Sequence, residues 1–152
     1  MRHFIVLLVL LGVCEGAKFG QLCSGNPTNQ RRTSDKWGMG HYGAPRGSTR
    51  KHKGLDIKCQ DGSEVYAPFD VELVRKVIVY NDPKKAAINN GIQLEGEGLC
   101  FKLFYVKPDK TSGRVKKGKK IGVMLQMQKV YPGITSHVHV QMCDGTNPTP
   151  YF

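Results

Sequence analysis

Acidic side chains are scarce in this sequence. Its 152 residues carry 12 Asp and Glu against 23 Lys and Arg, a formal net charge of +11, so the chain projects a positive field that attracts polyanions. Long apolar runs are almost absent. The one clear run, Phe4 to Val13, is about half the length of roughly 20 residues that a spanning helix needs, which excludes a membrane span. Apolar residues at helical spacing are also missing, so a helical bundle is excluded. No Cys-x-x-Cys occurs, which removes a thiolate zinc knuckle or a redox motif. Asn26-Pro27-Thr28 and Asn147-Pro148-Thr149 have proline at the middle position, so neither serves as an N-glycosylation acceptor. There is no internal repeat and no low-complexity tract.

What is present begins with a leader. Arg2 and His3 precede the apolar run, and the small residues Cys14 and Gly16 follow it, the pattern of a secretory signal peptide cleaved after Gly16 or, as the near alternative, after Ala17. Arg2 and Glu15 leave together, so the net charge of the expected mature chain stays at +11. Residues 17–152 have the size of one secreted, soluble domain. Cys23, Cys59, Cys100 and Cys143 are then an even set in an oxidising compartment, which predicts two disulfides with three possible pairings.

Residues 17–51 are rich in Gly, Ser, Thr, Asn and basic residues and predict an irregular N-terminal segment. From Leu55 the pattern becomes short apolar runs: Leu55–Cys59, Val65–Phe69, Val71–Tyr80, Gly91–Leu94, Leu99–Val106, Lys120–Leu125 and His137–Cys143. Turn signals such as Asp61-Gly62, Asn89-Asn90-Gly91, Lys117-Gly118 and Pro132-Gly133 separate them, so the expectation is an all-β, mainly antiparallel domain.

Two short motifs carry candidate chemistry. His52-Lys53-Gly54-Leu55-Asp56 leads into a strand, and His137-Val138-His139 lies within one. Alternate strand residues share a face, so His137 and His139 point the same way. Gly54 argues against a helix, so the bend into the strand must bring His52 and Asp56 together. Two imidazoles and a carboxylate form a zinc ligand set with the fourth position open, as in catalytic rather than structural sites.

These motifs, with Tyr66-Ala67-Pro68 and the stretch from Val115 to Gly122, resemble the lysostaphin-type zinc endopeptidases. Over essentially the whole chain, Tyr66-Ala67-Pro68-Phe69, Ala87 to Gly91, Gln128 to Ile134 and Ser136 to His139 are similar to a secreted leukocyte chemotaxin family related to those enzymes. The resemblance implies a lysostaphin-type metallopeptidase domain, zinc on His52, Asp56 and His139, and His137 as a former catalytic residue beside the metal. It also implies disulfides Cys23–Cys59 and Cys100–Cys143. The second catalytic histidine of the peptidases has no counterpart between Leu103 and Lys107; Tyr105 is the candidate for its position, with Lys107 as the alternative. A further cysteine pair of the chemotaxin pattern is replaced by Ser34 and Met39.

The expected function is therefore a secreted chemotactic, immune-modulating signal acting on leukocytes through a cell-surface receptor, on a zinc-peptidase scaffold without activity. The alternatives are an active extracellular zinc endopeptidase and an antibacterial protein that binds cell walls. Basic clusters at Arg31-Arg32, Arg50 to Lys53, Lys84-Lys85 and Lys116 to Lys120 suit sulfated glycans. Nucleic acid is excluded as a partner, since no stacking platform or recognition helix is visible.

Overall fold

The computed structural model describes residues 16–152, so residues 1–15 of the expected signal peptide lie outside the described residues. Each apolar run predicted as a strand contains one. β5 (Leu55–Lys58), β7 (Val71–Val77), β8 (Gly91–Gly96), β9 (Leu99–Phe104), β11 (Gly113–Val115) and β13 (His137–Met142) form an antiparallel sheet in the order β11-β7-β8-β9-β13-β5. β6 (Glu64–Tyr66), β10 (Val106–Pro108) and β12 (Lys120–Met124) form a second, in the order β10-β12-β6. This is the all-β, mainly antiparallel architecture that the resemblance implies for a lysostaphin-type domain.

Burial follows the pleat. Ile92 and Leu94 of β8, Phe101 and Leu103 of β9, and Val138 and Val140 of β13 are fully buried, each stabilising the fold by about 1.5–3 kcal/mol. β13 is buried on its other face too, where His137 and His139 lie. Phe104 and Tyr105 cover that face, and the N-terminal segment closes the β5 side of it. Arg32 N–H donates to the Asp56 carbonyl and Asp56 N–H to the Gly40 carbonyl, both at 2.9 Å, and Arg31 bridges Ile57. The segment thus extends the sheet beyond its β5 edge and roofs part of it.

Both ends of the described chain meet in one aromatic cluster. Phe19 stacks on Phe152 at 4.5 Å and meets Phe101 and Phe69 edge-on at 4.9 and 5.2 Å, and its N–H donates to the Tyr151 carbonyl at 2.8 Å. Disulfides Cys23–Cys59 and Cys100–Cys143 tie the N-terminal segment to the end of β5 and β9 to the end of β13. Their sequence separations of 36 and 43 residues correspond to about 4 kcal/mol each in the chain-entropy account.

Several expectations need correction. The N-terminal segment is not wholly irregular: β1 (Ser34–Asp35) pairs with β2 (Gly38–Met39), and β3 (Pro45–Arg46) with β4 (Arg50–Lys51). Short helices appear at Pro83–Ile88, Met127–Val130 and Thr149–Tyr151, each too brief to leave a periodic trace. The run Leu99–Val106 is two strands in different sheets, because Tyr105 has φ of 72° and turns the chain between β9 and β10. Among the described residues no helix is long and apolar enough to cross a membrane.

Candidate metal centre

Antiparallel pairing sets the site. Asp56 on β5 lies directly opposite His139 on β13, and His139 in turn faces Phe104 on β9. The turn before β5 returns His52 to the same place, so His52 Nε2, Asp56 Oδ1 and His139 Nδ1 stand 3.1 Å from one another on all three sides. All three residues are buried.

Glycine is required within the first motif. A Cβ on Gly54 would collide with the Val140 carbonyl oxygen and lie 2.6 Å from His139 Cε1 and Nε2. Its absence lets the His139 imidazole lie against the turn, stacked on its other side by Phe104 at 4.9 Å.

The outer nitrogens fix the inner ones. His52 Nδ1 donates to the His41 carbonyl at 2.8 Å, and His139 Nε2 donates to Gln141 Oε1 at 3.0 Å. Both partners are acceptors, so each neutral ring carries its proton outside and turns a lone pair inward. Two imidazole lone pairs and a carboxylate oxygen then converge with no proton between them, and a triangle cannot hold three linear hydrogen bonds. A cation resolves this. Tetrahedral zinc with bonds of about 2.0–2.1 Å separates its ligand atoms by about 3.3 Å, close to the spacing found, so the residues fit a metal of that size.

The other carboxylate oxygen is held separately. Asp56 Oδ2 accepts from Arg32 Nη1 at 3.0 Å and lies 3.4 Å from His137 Nε2. Arg32 is itself fixed by Asp35, which accepts from its Nε and Nη2 at 2.9 and 2.7 Å and from the Trp37 and Thr135 N–H groups. Burial opposes the charge on Asp35, but these four donors outweigh it and hold the carboxyl far below its usual range. The Asp56 carboxyl is likewise held well below its usual range although burial opposes its charge.

His137 shares the cleft but not the triangle. Its Nδ1 donates to the Thr135 carbonyl at 2.7 Å, and burial pushes the ring down to about 4, so it is a neutral imidazole with Nε2 free to accept. Tyr105 stands beside it, ring centres 5.5 Å apart, and its hydroxyl pairs with that of Tyr80 at 2.8 Å. Burial raises the Tyr105 hydroxyl above its ordinary value, leaving a phenol. Lys107, the alternative for this position, is exposed on β10 and does not line the cleft.

Sequence reasoning placed Arg32 in a basic cluster suited to sulfated glycans; it is 4% exposed and braces the site. It also missed Gln141, although its place two residues beyond His139 on one strand face was a usable signal. Nothing in the local sequence marked Arg32.

No protein-family model matches the chain. Mouse leukocyte cell-derived chemotaxin-2 is 45% identical over 148 residues, covering 97% of this chain and 96% of that protein. Chicken myeloid protein 1 is 47% identical over 137 residues, 89% of this chain and 41% of that longer protein. Among solved structures, Helicobacter pylori Csd3 matches with TM-score 0.57 at 18% identity, over 90% of this chain and 33% of that one, a likeness of fold. With near-complete coverage at that identity, the chain belongs to the leukocyte cell-derived chemotaxin-2 family.

Proposed function

We propose that this protein is a secreted signal that attracts or modulates leukocytes through a cell-surface receptor, built on a zinc-holding peptidase scaffold that no longer cuts. The leader-like amino terminus and the two disulfides support secretion. The name of the mouse relative supports the chemotactic role. Sulfated glycans on cell surfaces are secondary partners for the basic turn around Lys116 to Lys120.

The observation that carries the loss of catalysis is Tyr105. A zinc peptidase needs groups that transfer protons and stabilise a developing oxyanion. His137 supplies one neutral imidazole, but beside it stands a buried phenol tied to Tyr80, a poor proton acceptor at neutral pH. Losing one such group typically lowers the rate by about 100-fold or more.

His52, Asp56 and His139 would hold the zinc, a Lewis acid toward a carbonyl oxygen when bound. Arg32 keeps Asp56 charged and oriented, and Gln141 and the His41 carbonyl keep both ligand imidazoles in the required tautomer.

The rival reading, an active extracellular zinc endopeptidase, is favoured by the open cleft and by His137 Nε2 facing it. One experiment separates the two. Zinc content of the purified chain, of Asp56→Ala and of His137→Ala is measured with release of fragments from pentaglycine. The expected result is one zinc in the parent and in His137→Ala, none in Asp56→Ala, and no fragments from any. Fragments released by the zinc-loaded parent and stopped by a chelator would establish the rival. Zinc-free parent protein would remove the metal from the proposal.

A further inference from the structure

We propose that the cleft above His52, Asp56 and His139 is a binding site for an acidic peptide segment that also presents a large apolar side chain. The cleft encloses about 750 Å3, within the range of about 300–1,000 Å3 usual for ligand sites. The inference rests on the reading of this cleft as one that binds without cutting.

Charge is the first argument. Arg46, Arg50, Lys51, Lys53 and Lys85 line the cleft, and Asp56 is its one carboxylate among the described residues. Asp56 is already committed to Arg32 and the three histidines and makes only a long contact to Arg46, so the lining leaves Arg50, Lys51, Lys53 and Lys85 without a carboxylate partner. Arg46 is also held in place: its guanidinium donates to the Met39 and Pro45 carbonyls at 2.6 and 3.1 Å and lies 3.9 Å from Asp56 Oδ2. A cation fixed at a half-buried position loses less freedom on meeting a carboxylate than one on a free stem.

Apolar surface is the second. Trp37 is 42% exposed, yet its Nε1 already donates to the Pro132 carbonyl at 2.9 Å and its ring meets Tyr131 edge-on at 5.1 Å. Its polar atom is satisfied within the chain, so what it offers the cleft is a fixed apolar face. Lys85 lies over the Tyr80 ring at 4.4 Å, placing a cation and aromatic faces within one small area. Met127 and Ile134 add buried apolar lining. Carboxylates beside a large apolar side chain match this combination. A sulfated glycan, with charge and no such side chain, matches better the exposed lysines at 116 to 120, outside the cleft.

Binding is measured by calorimetry on the zinc-loaded chain, residues 17–152. The probes are acetyl-Glu-Glu-Phe-Glu-amide, its glutamine counterpart acetyl-Gln-Gln-Phe-Gln-amide, and a heparin-derived hexasaccharide. The glutamate peptide should bind at least tenfold more tightly than the glutamine peptide. Arg46→Gln, Lys85→Gln and Trp37→Ala should each weaken it at least threefold, while the exposed pair Lys116→Gln/Lys119→Gln leaves it unchanged. Equal affinity for the two peptides overturns the proposal, as does equal weakening by the cleft variants and the Lys116/Lys119 variant. So does a hexasaccharide whose affinity falls with the cleft variants while the glutamate peptide does not bind. Zinc content of each variant shows whether its site is intact. The mass of the recovered peptide shows separately whether it was cut, which bears on the non-enzymatic reading and not on the affinity.

Discussion

Arg32 organises the site from outside the ligand triangle. Its three nitrogens bridge Asp35 and Asp56 Oδ2, and the residue is 4% exposed. Removing such a support typically lowers metal affinity about 10–100-fold without removing a ligand. Arg32→Gln should therefore still bind zinc, with affinity lower by that factor in competition with a chelator, and Arg32→Lys should recover only part, since a point charge cannot reach both carboxylates. Unchanged affinity in Arg32→Gln would show that Asp56 needs no brace.

Asp35 adds a dependence on pH. Its folded pKa lies well below the unfolded value of about 3.9, so its stabilisation is full above about pH 4 and is lost as the pH falls through the folded value. Asp35→Asn should cost about 2–3 kcal/mol at pH 7, where hydrogen bonds to a charged group are lost. Thermal melts of parent and variant should converge below about pH 4. A gap that stays constant across that range would assign the effect to packing.

Among the elements, the two-residue strands of the N-terminal segment include one pair set for a covalent link. Ser34 and Met39, where the resemblance leads one to expect a cysteine pair, are direct cross-strand partners in the β1–β2 hairpin. The hairpin keeps its register without the covalent link because Asp35 anchors it from within, through Arg32, Trp37 and Thr135. Ser34→Cys/Met39→Cys should form a third disulfide on oxidation. So short a loop adds about 2 kcal/mol in the chain-entropy account, read as a higher melting temperature than the reduced form. No shift on oxidation would mean that the hairpin is already ordered in the unfolded chain or is strained by the link.

β9 and β10 show how a single residue redirects an element. Leu99 to Val106 is apolar enough to read as one strand, and its alternation gives no sign of a break. Tyr105, in the left-handed region, divides it, with its N–H donating to the Asn90 carbonyl and its carbonyl accepting from Leu125 N–H, both at 2.9 Å. Such a conformation costs a non-glycine residue about 1–3 kcal/mol and persists because both neighbours over-determine it. The same turn aims the phenol at His137.

Across the whole molecule, charge and fold act on different sides of function. The net charge of +11 is spread over hairpins and over the cleft rim, and it governs which partners approach. The disulfides and the phenylalanine cluster hold the two ends of the described chain onto the sheets. That arrangement lets residues 17–51, poor in apolar side chains, lie as a roof on the buried histidine face of β13.

Much of this was written locally. Alternating apolar runs and glycine-bearing turns located the six longest strands and β6, because pleat and turn chemistry depend on near neighbours. The two histidine motifs located the ligand candidates for the same reason: spacing in a strand fixes which side chains share a face. The roles of Arg32, Gly54 and Tyr105 depended on tertiary structure. Arg32 is 24 residues from Asp56, Gly54 is needed only because His139 lies against it, and Tyr105 acts through a backbone angle that its neighbours across two sheets impose. The sequence by itself determined the strand pattern, the basic character and the inventory of candidate ligands. Only the packed chain decided which charges are buried, which imidazole faces the carboxylate, and where the strand turns, because each of those is set by atoms distant in sequence meeting in a space that excludes water.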